Sequence, residues 1–182
     1  SNAGSVTKTT LATTTVETLR FLGKSVDAYT LDSNHQKLYE RLGERDDLGK
    51  LIPIEEQDPN KGVAHVNVSN EEEKQRLIKT FRPVSNAEYL VYDWPSNSKE
   101  AAATMYEDVE RLMKILAREN AELIIVCPIV DAKSIQSLKS IADEFLEARI
   151  IAAINAGYIK KLLPPKAAKA EIQNLVKTFQ DY

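Results

Sequence analysis

A chain of 182 residues, 43% hydrophobic and 28% charged, carries enough apolar material for one soluble globular domain. It has no stretch of about 20 consecutive apolar residues, so a membrane-spanning helix is excluded, and no charged-then-apolar leader opens it; a cytoplasmic protein is expected, without membrane association. The net charge of -3 argues against a general electrostatic grip on nucleic acid but leaves room for a local basic patch, and one cysteine with two histidines excludes an internal disulfide and a Cys/His zinc cluster.

Ser1-Asn2-Ala3 looks like the remnant of a cleaved expression tag, so a single domain is taken to run from Gly4 to Tyr182. Ala12, Val16 and Leu19 share one face of a helix from about Thr9 to Leu22, and Gly23 supplies its stop. Val26 to Leu31 reads as a strand. A short helix around His35 to Leu42 gives way to a polar stretch punctuated by Gly49, Pro53, Pro59 and Gly62. Gly62 to Val68 alternates Ala64, Val66 and Val68 with His65 and Asn67, which predicts a half-buried strand. Ser69 or Asn70 can cap a helix over Glu71 to Phe81, whose acidic start suits the positive end of the helix dipole.

Tyr89 to Tyr92 is a short apolar run closed by Asp93. Met105, Val109, Leu112, Met113 and Leu116 stripe a helix from about Lys99 to Glu119. Leu123 to Val126 and Ile150 to Ile154 are continuous apolar runs, the pattern of parallel strands buried on both faces. Between them Ile135, Leu138, Ile141, Ala142 and Phe145 mark a helix, and a last helix covers Glu171 to Phe179. Strand and helix alternate at least three times, which predicts an α/β fold, a mostly parallel sheet flanked by helices.

In such sheets ligands bind at the carboxyl ends of the strands. The residues found there form a consistent set: Gly4-Ser5-Val6-Thr7-Lys8-Thr9-Thr10 before the first helix, Asp32 after the Val26 strand, Asp93 after the Tyr89 strand and Asn155 after the Ile150 strand. A lysine and a hydroxyl at a helix N-terminus, with carboxylates on two neighbouring strands, are the equipment for holding a nucleoside triphosphate with Mg²⁺. Each has an ordinary alternative: Lys8 as an exposed helix lysine, Asp32 and Asp93 as caps, Asn155 as a turn residue. His35 and His65 receive no role, and Cys127 reads as a small core residue.

From Lys8 through Gly23 to Thr30-Leu31-Asp32-Ser33 the chain resembles the ParA/MinD class of deviant Walker ATPases, whose phosphate loop reads roughly K-G-G-x-G-K-T-T and whose second strand ends in D-x-D-P. Asp93-Trp94-Pro95 is similar to the Walker B element, and Leu123 to Pro128 and Ile150 to Asn155 to the later strands. The pattern departs at Thr7, where glycine is usual, and at Thr30, which removes a carboxylate. The signature lysine of the class would fall on Ala3, and a strand is expected ahead of Gly4.

The resemblance implies a P-loop NTPase-like fold and a weak ATPase, with ATP and Mg²⁺ as its cofactors, in a bacterial cytoplasm. Lys8 would neutralise β/γ-phosphate charge, Thr9 would ligate Mg²⁺, Asp93 would hold the metal through water, Asp32 would orient the attacking water and Asn155 would read adenine. It further implies a nucleotide-dependent homodimer acting on DNA or a DNA-bound adaptor, in plasmid partition or conjugation. Thr7 and Thr30 motivate an alternative, a pseudo-ATPase scaffold; a biosynthetic relative of the dethiobiotin and cobyrinic acid branch is a third reading. Lys160, Lys161, Lys166, Lys169 and Lys177 face only Glu171 and Asp181 between Tyr158 and Tyr182, so a DNA-phosphate surface is expected around Lys160 and Lys161, with a solvated helix face as its alternative.

Overall fold

The computed structural model describes residues 3–31, 36–67, 72, 75, 87–94 and 109–180. Of the helix expected over Glu71 to Phe81 only Glu72 and Gln75 are described, both helical, and the first half of that expected from Lys99, Asp32 and His35 lie outside the described residues. The chain divides into two compact units, Ser1–Ala121 and Glu122–Tyr182. Both are α/β.

The first unit begins with α1 (Ala3–Phe21), followed by β1 (Val26–Thr30), α2 (Lys37–Leu42), a 3-10 turn at Ile54–Glu56, β2 (Ala64–His65), β3 (Tyr89–Asp93) and α3 (Val109–Arg118). Helix α1 ends as its sequence predicts. Gly23 takes a positive φ of 74°, its N–H donates to Arg20 O and the Lys24 N–H donates to Leu19 O, the paired bonds of a Schellman turn. Its start is different: the helix begins at Ala3 and not near Thr9, so Gly4 to Thr7 are helical.

The sheet of this unit has the order β2-β1-β3, all parallel. Strand β1 is central and buried along its whole length. Val26 and Ala28 of β1 pack with Val16 of α1, Leu38 of α2 and Val63, and Ala12, Leu19 and Val91 close the cluster. On the opposite face the rings of Tyr29 and Tyr92 stack with centroids 5.1 Å apart. The Tyr29 hydroxyl is pushed up to about 12, first by burial and then by the negative charge of Asp27.

The polar stretch after α2 has no periodicity because side chains, not ladders, hold it. Gln57, 7% exposed, accepts from Glu44 N and donates to the carbonyls of Glu44 and Ile52. Arg20 of α1 donates to the carbonyls of Val26, Pro59, Lys61 and Gly62. Strand β2 has two ladder residues among the described part, 62–67, of the strand expected over Gly62 to Val68, and Val68 lies outside the described residues.

The second unit comprises β4 (Ile124–Ile129), α4 (Ala132–Glu144), β5 (Arg149–Ile154), α5 (Ala156–Leu162) and α6 (Pro165–Gln180), with β4 and β5 paired in parallel. One sheet face carries Cys127, Ile129, Ile150, Ala152 and Ile154 against Ile135 and Leu138 of α4, Ile159 of α5, and Ala168, Ile172 and Leu175 of α6. Burial pushes the Cys127 thiol up, as its core assignment requires. The expectation that both faces are covered is not met. Ile124, Val126 and Ile151 stand on the other face, 40–45% exposed.

Asp131 caps α4, its Oδ1 accepting from Ser134 N at 2.8 Å and from Ser134 Oγ at 2.7 Å. The Ser134 hydroxyl is the main cause that holds the Asp131 carboxyl below its ordinary value. A folded-state pKa below the unfolded one stabilises above the unfolded value and is lost as pH falls through the folded value. Asp131→Ala is therefore expected to cost about 1 kcal/mol at pH 7, and the gap between variant and native chain should close below about pH 4, as urea melts at the two pH values would read.

Candidate functional site

Helix α1 runs antiparallel to the strands. Its last turn lies at the amino end of β1, since Arg20 Nη2 reaches Val26 O at 3.2 Å, and its first turns lie toward the carboxyl ends. Thr9, Thr13 and Val16 recur at helical spacing on one face, and Val16 is packed on Val26 and Ala28. From Val16 back to Thr9 is about 10 Å along the helix, and from Ala28 forward to Thr30 about 7 Å along the strand. The two threonines of α1 thus lie over the last residues of β1 and β3. Both are buried, and Thr13 Oγ1 donates to Thr9 O at 2.7 Å.

Under them sits a row of three side chains. Thr30 is the register partner of Asp93 on β3 and of His65 on β2. Register partners in a parallel sheet share a face, and residues two apart along a strand share it too. Thr30 therefore faces α1 with Ala28, Asp93 with Val91, and His65 with Val63. Thr30 is fully buried and Asp93 is 2% exposed, while His65 is half-buried. The Thr30 Oγ1 atom has no hydrogen-bond partner among the described residues. Leaving a buried hydroxyl unmatched costs about 1–3 kcal/mol, and a water, an ion or a ligand oxygen at the row would remove that cost.

The sequence-predicted residues divide accordingly. Thr9 and Asp93 are brought to the same end of one sheet, with half-buried Lys8 beside Thr9 on α1. Thr13 and His65 join them. Sequence reasoning missed both, although the spacing of Thr9 and Thr13 on the buried side of α1 would have found the first. Gly4, Ser5, Val6 and Thr7 stand inside α1, where a loop was expected, and Thr7 is itself buried. Thr10 is exposed. Asn155 belongs to the second unit and caps α5, accepting from Tyr158 N at 2.9 Å, the turn role that was its alternative. Lys160 and Lys161 lie in the last turn of α5, both exposed.

The donor set suits Mg²⁺. Asp93, Thr30 and Thr9 offer hard oxygens, the chemistry that small divalent cations take, and the unmatched Thr30 hydroxyl leaves room for a further partner. A phosphate cradle is not formed, because helical residues 4–7 cannot wrap an anion as a loop does. What α1 offers an anion is its first-turn N–H groups, which have no acceptor within the helix, and the Lys8 ammonium.

Comparison with known protein families, curated proteins and solved structures finds no match for this chain.

Proposed function

We propose that the chain is a nucleotide-dependent switch of the ParA/MinD type, with a P-loop NTPase-like architecture, that takes ATP with Mg²⁺ at the carboxyl end of β1 and β3. The observation that supports this most directly is the pairing of Thr30 with Asp93, both buried, beneath Thr9 of α1. Bound there, the metal would supply charge neutralisation for phosphate oxygens. The chain's own part is to position it: Asp93 draws the cation, Thr9 adds a hydroxyl, and Lys8 balances phosphate charge. Asp32, next after Leu31 beyond β1, is proposed as the residue that orients an attacking water.

A homodimer in the cytoplasm, engaging DNA or a DNA-bound adaptor through Lys160 and Lys161, completes the reading. Two exposed lysines on each subunit would meet phosphate backbones by counterion release, an attraction that weakens as salt rises.

The pseudo-ATPase alternative is favoured by one observation: Gly4 to Thr7 are helical. On that reading nucleotide binds weakly and turnover is lost. Titration calorimetry of the chain with ATP and Mg²⁺ is expected to give binding that Lys8→Ala weakens at least about tenfold. Equal affinity in the variant would remove Lys8 from the site, and binding without phosphate release would select the pseudo-ATPase.

A further inference from the structure

The row at the carboxyl ends contains one nitrogen donor to which no role has been given. His65 occupies the position on β2 that Asp93 occupies on β3, with Thr30 between them. The two outer Cα atoms are therefore two strand spacings apart, about 10 Å. That is too wide for a direct bond between short side chains and wide enough for a phosphoryl group with its metal.

We infer that His65 is a ligand-contact residue, its imidazole N–H donating to a phosphate oxygen of a nucleotide whose metal is held at Asp93. The inference rests on the reading of this end of the sheet as a Mg²⁺-nucleotide site. Three observations carry it. His65 is on the α1 face, since Val63 two residues earlier is packed under Val16. Its immediate neighbour is the fully buried Thr30 hydroxyl, which lacks a partner among the described residues, so that hydroxyl points to an added group at this row. Charge favours an anion at the β2 side: where the resemblance expects a carboxylate at position 30 the chain has a hydroxyl, and the next side chain in the row is an imidazole, which offers an N–H whether or not it is protonated. Asp93 then stands as the row's only carboxylate among the described residues, on the side where the cation belongs.

The probes are ATP with Mg²⁺ and, separately, inorganic phosphate with Mg²⁺, added to the full chain. By calorimetry His65→Ala is expected to weaken ATP binding about tenfold, and His65→Gln, which keeps an N–H donor, to lose less than about threefold. A second measurement covers the case in which His65→Ala misfolds. The chain has two histidines, so His35→Gln leaves a single imidazole whose ring resonances should shift on adding either probe. Unchanged affinity in a folded His65→Ala, or ring signals that do not move while ATP binds, overturns the inference and leaves the nucleotide site standing. Absence of ATP binding by the native chain overturns both together.

Discussion

Replacing Arg20 with alanine is expected to lower the stability of the Ser1–Ala121 unit by about 3 kcal/mol. The guanidinium donates from Nη2 to Pro59 O and Gly62 O at 2.9 Å each and to Val26 O at 3.2 Å, and from Nη1 to Lys61 O at 3.0 Å. Hydrogen bonds from a charged donor contribute about 1.5–3 kcal/mol each when isolated. Here four share one group whose Nε is buried without an acceptor among the described residues, so the net falls well short of their sum. Burial pulls the Arg20 pKa below its ordinary value, and Asp27 and Asp58 act against that shift. Alanine would take the guanidinium away from three partly buried carbonyls, of which Pro59 O keeps the Ala28 N–H, and free the 59–62 turn from the helix that precedes β1. Arg20→Lys should recover less than half of the loss, because one ammonium cannot reproduce the planar fork. Arg20→Met keeps the stem and isolates the polar part. Urea melts followed by circular dichroism would measure all three. A loss under about 1 kcal/mol for alanine would mean that Gln57, Tyr39 and Asn60 hold the 43–63 segment without it.

Which features were legible in the sequence follows from how each is held. The end of α1, the limits of β1, β3 and β5 to within one residue, and the core faces of α4 are fixed by period and by Gly23, and both are written locally. The 43–63 segment is fixed by Gln57 and Arg20, whose partners lie up to 42 residues away, and a window of neighbouring residues carries no trace of such pairing. Helix α5 was missed because its seven residues AGYIKKL make too few turns for a period. The start of α1 was misplaced for the opposite reason: Gly-Ser-Val-Thr is a poor helix former by local preference, and the structure nevertheless continues the helix through it.

The site was legible in the same uneven way. Thr9 and Asp93 were found because each stands next to a recognisable boundary, a helix start or a strand end. His65 sits inside an alternating strand where a polar residue is expected on one face, so its spacing said nothing. Only the register with Thr30 brings it into one row with Asp93. Likewise the exposed apolar face of β4 and β5 contradicts the expectation from their continuous hydrophobic runs, since such runs record what a strand can bury and not how many layers cover it.

Asp93→Asn is expected to weaken binding of ATP with Mg²⁺ about a hundredfold, ~2.7 kcal/mol, and to abolish any turnover, with a smaller change in stability. The variant keeps the shape and one acceptor oxygen, turns the other oxygen into an NH2 donor and removes the charge that attracts a divalent cation. Stability is the discriminating half. Asp93 is 2% exposed, and a carboxylate held that far from water is costly unless something compensates it. A residue kept for packing or for capping would lose stability as the amide, because its partners are arranged for a carboxylate. One kept for a metal should lose much more affinity for ATP with Mg²⁺ than stability when it becomes the amide. The backbone is not at stake, since Asp93 O accepts from Leu31 N in either case. Calorimetry with ATP, with and without a chelator, and urea melts of the metal-free chain would read the two halves. Undiminished binding would move the metal away from β3, whereas a loss of binding accompanied by an equal loss of stability would make Asp93 a structural carboxylate.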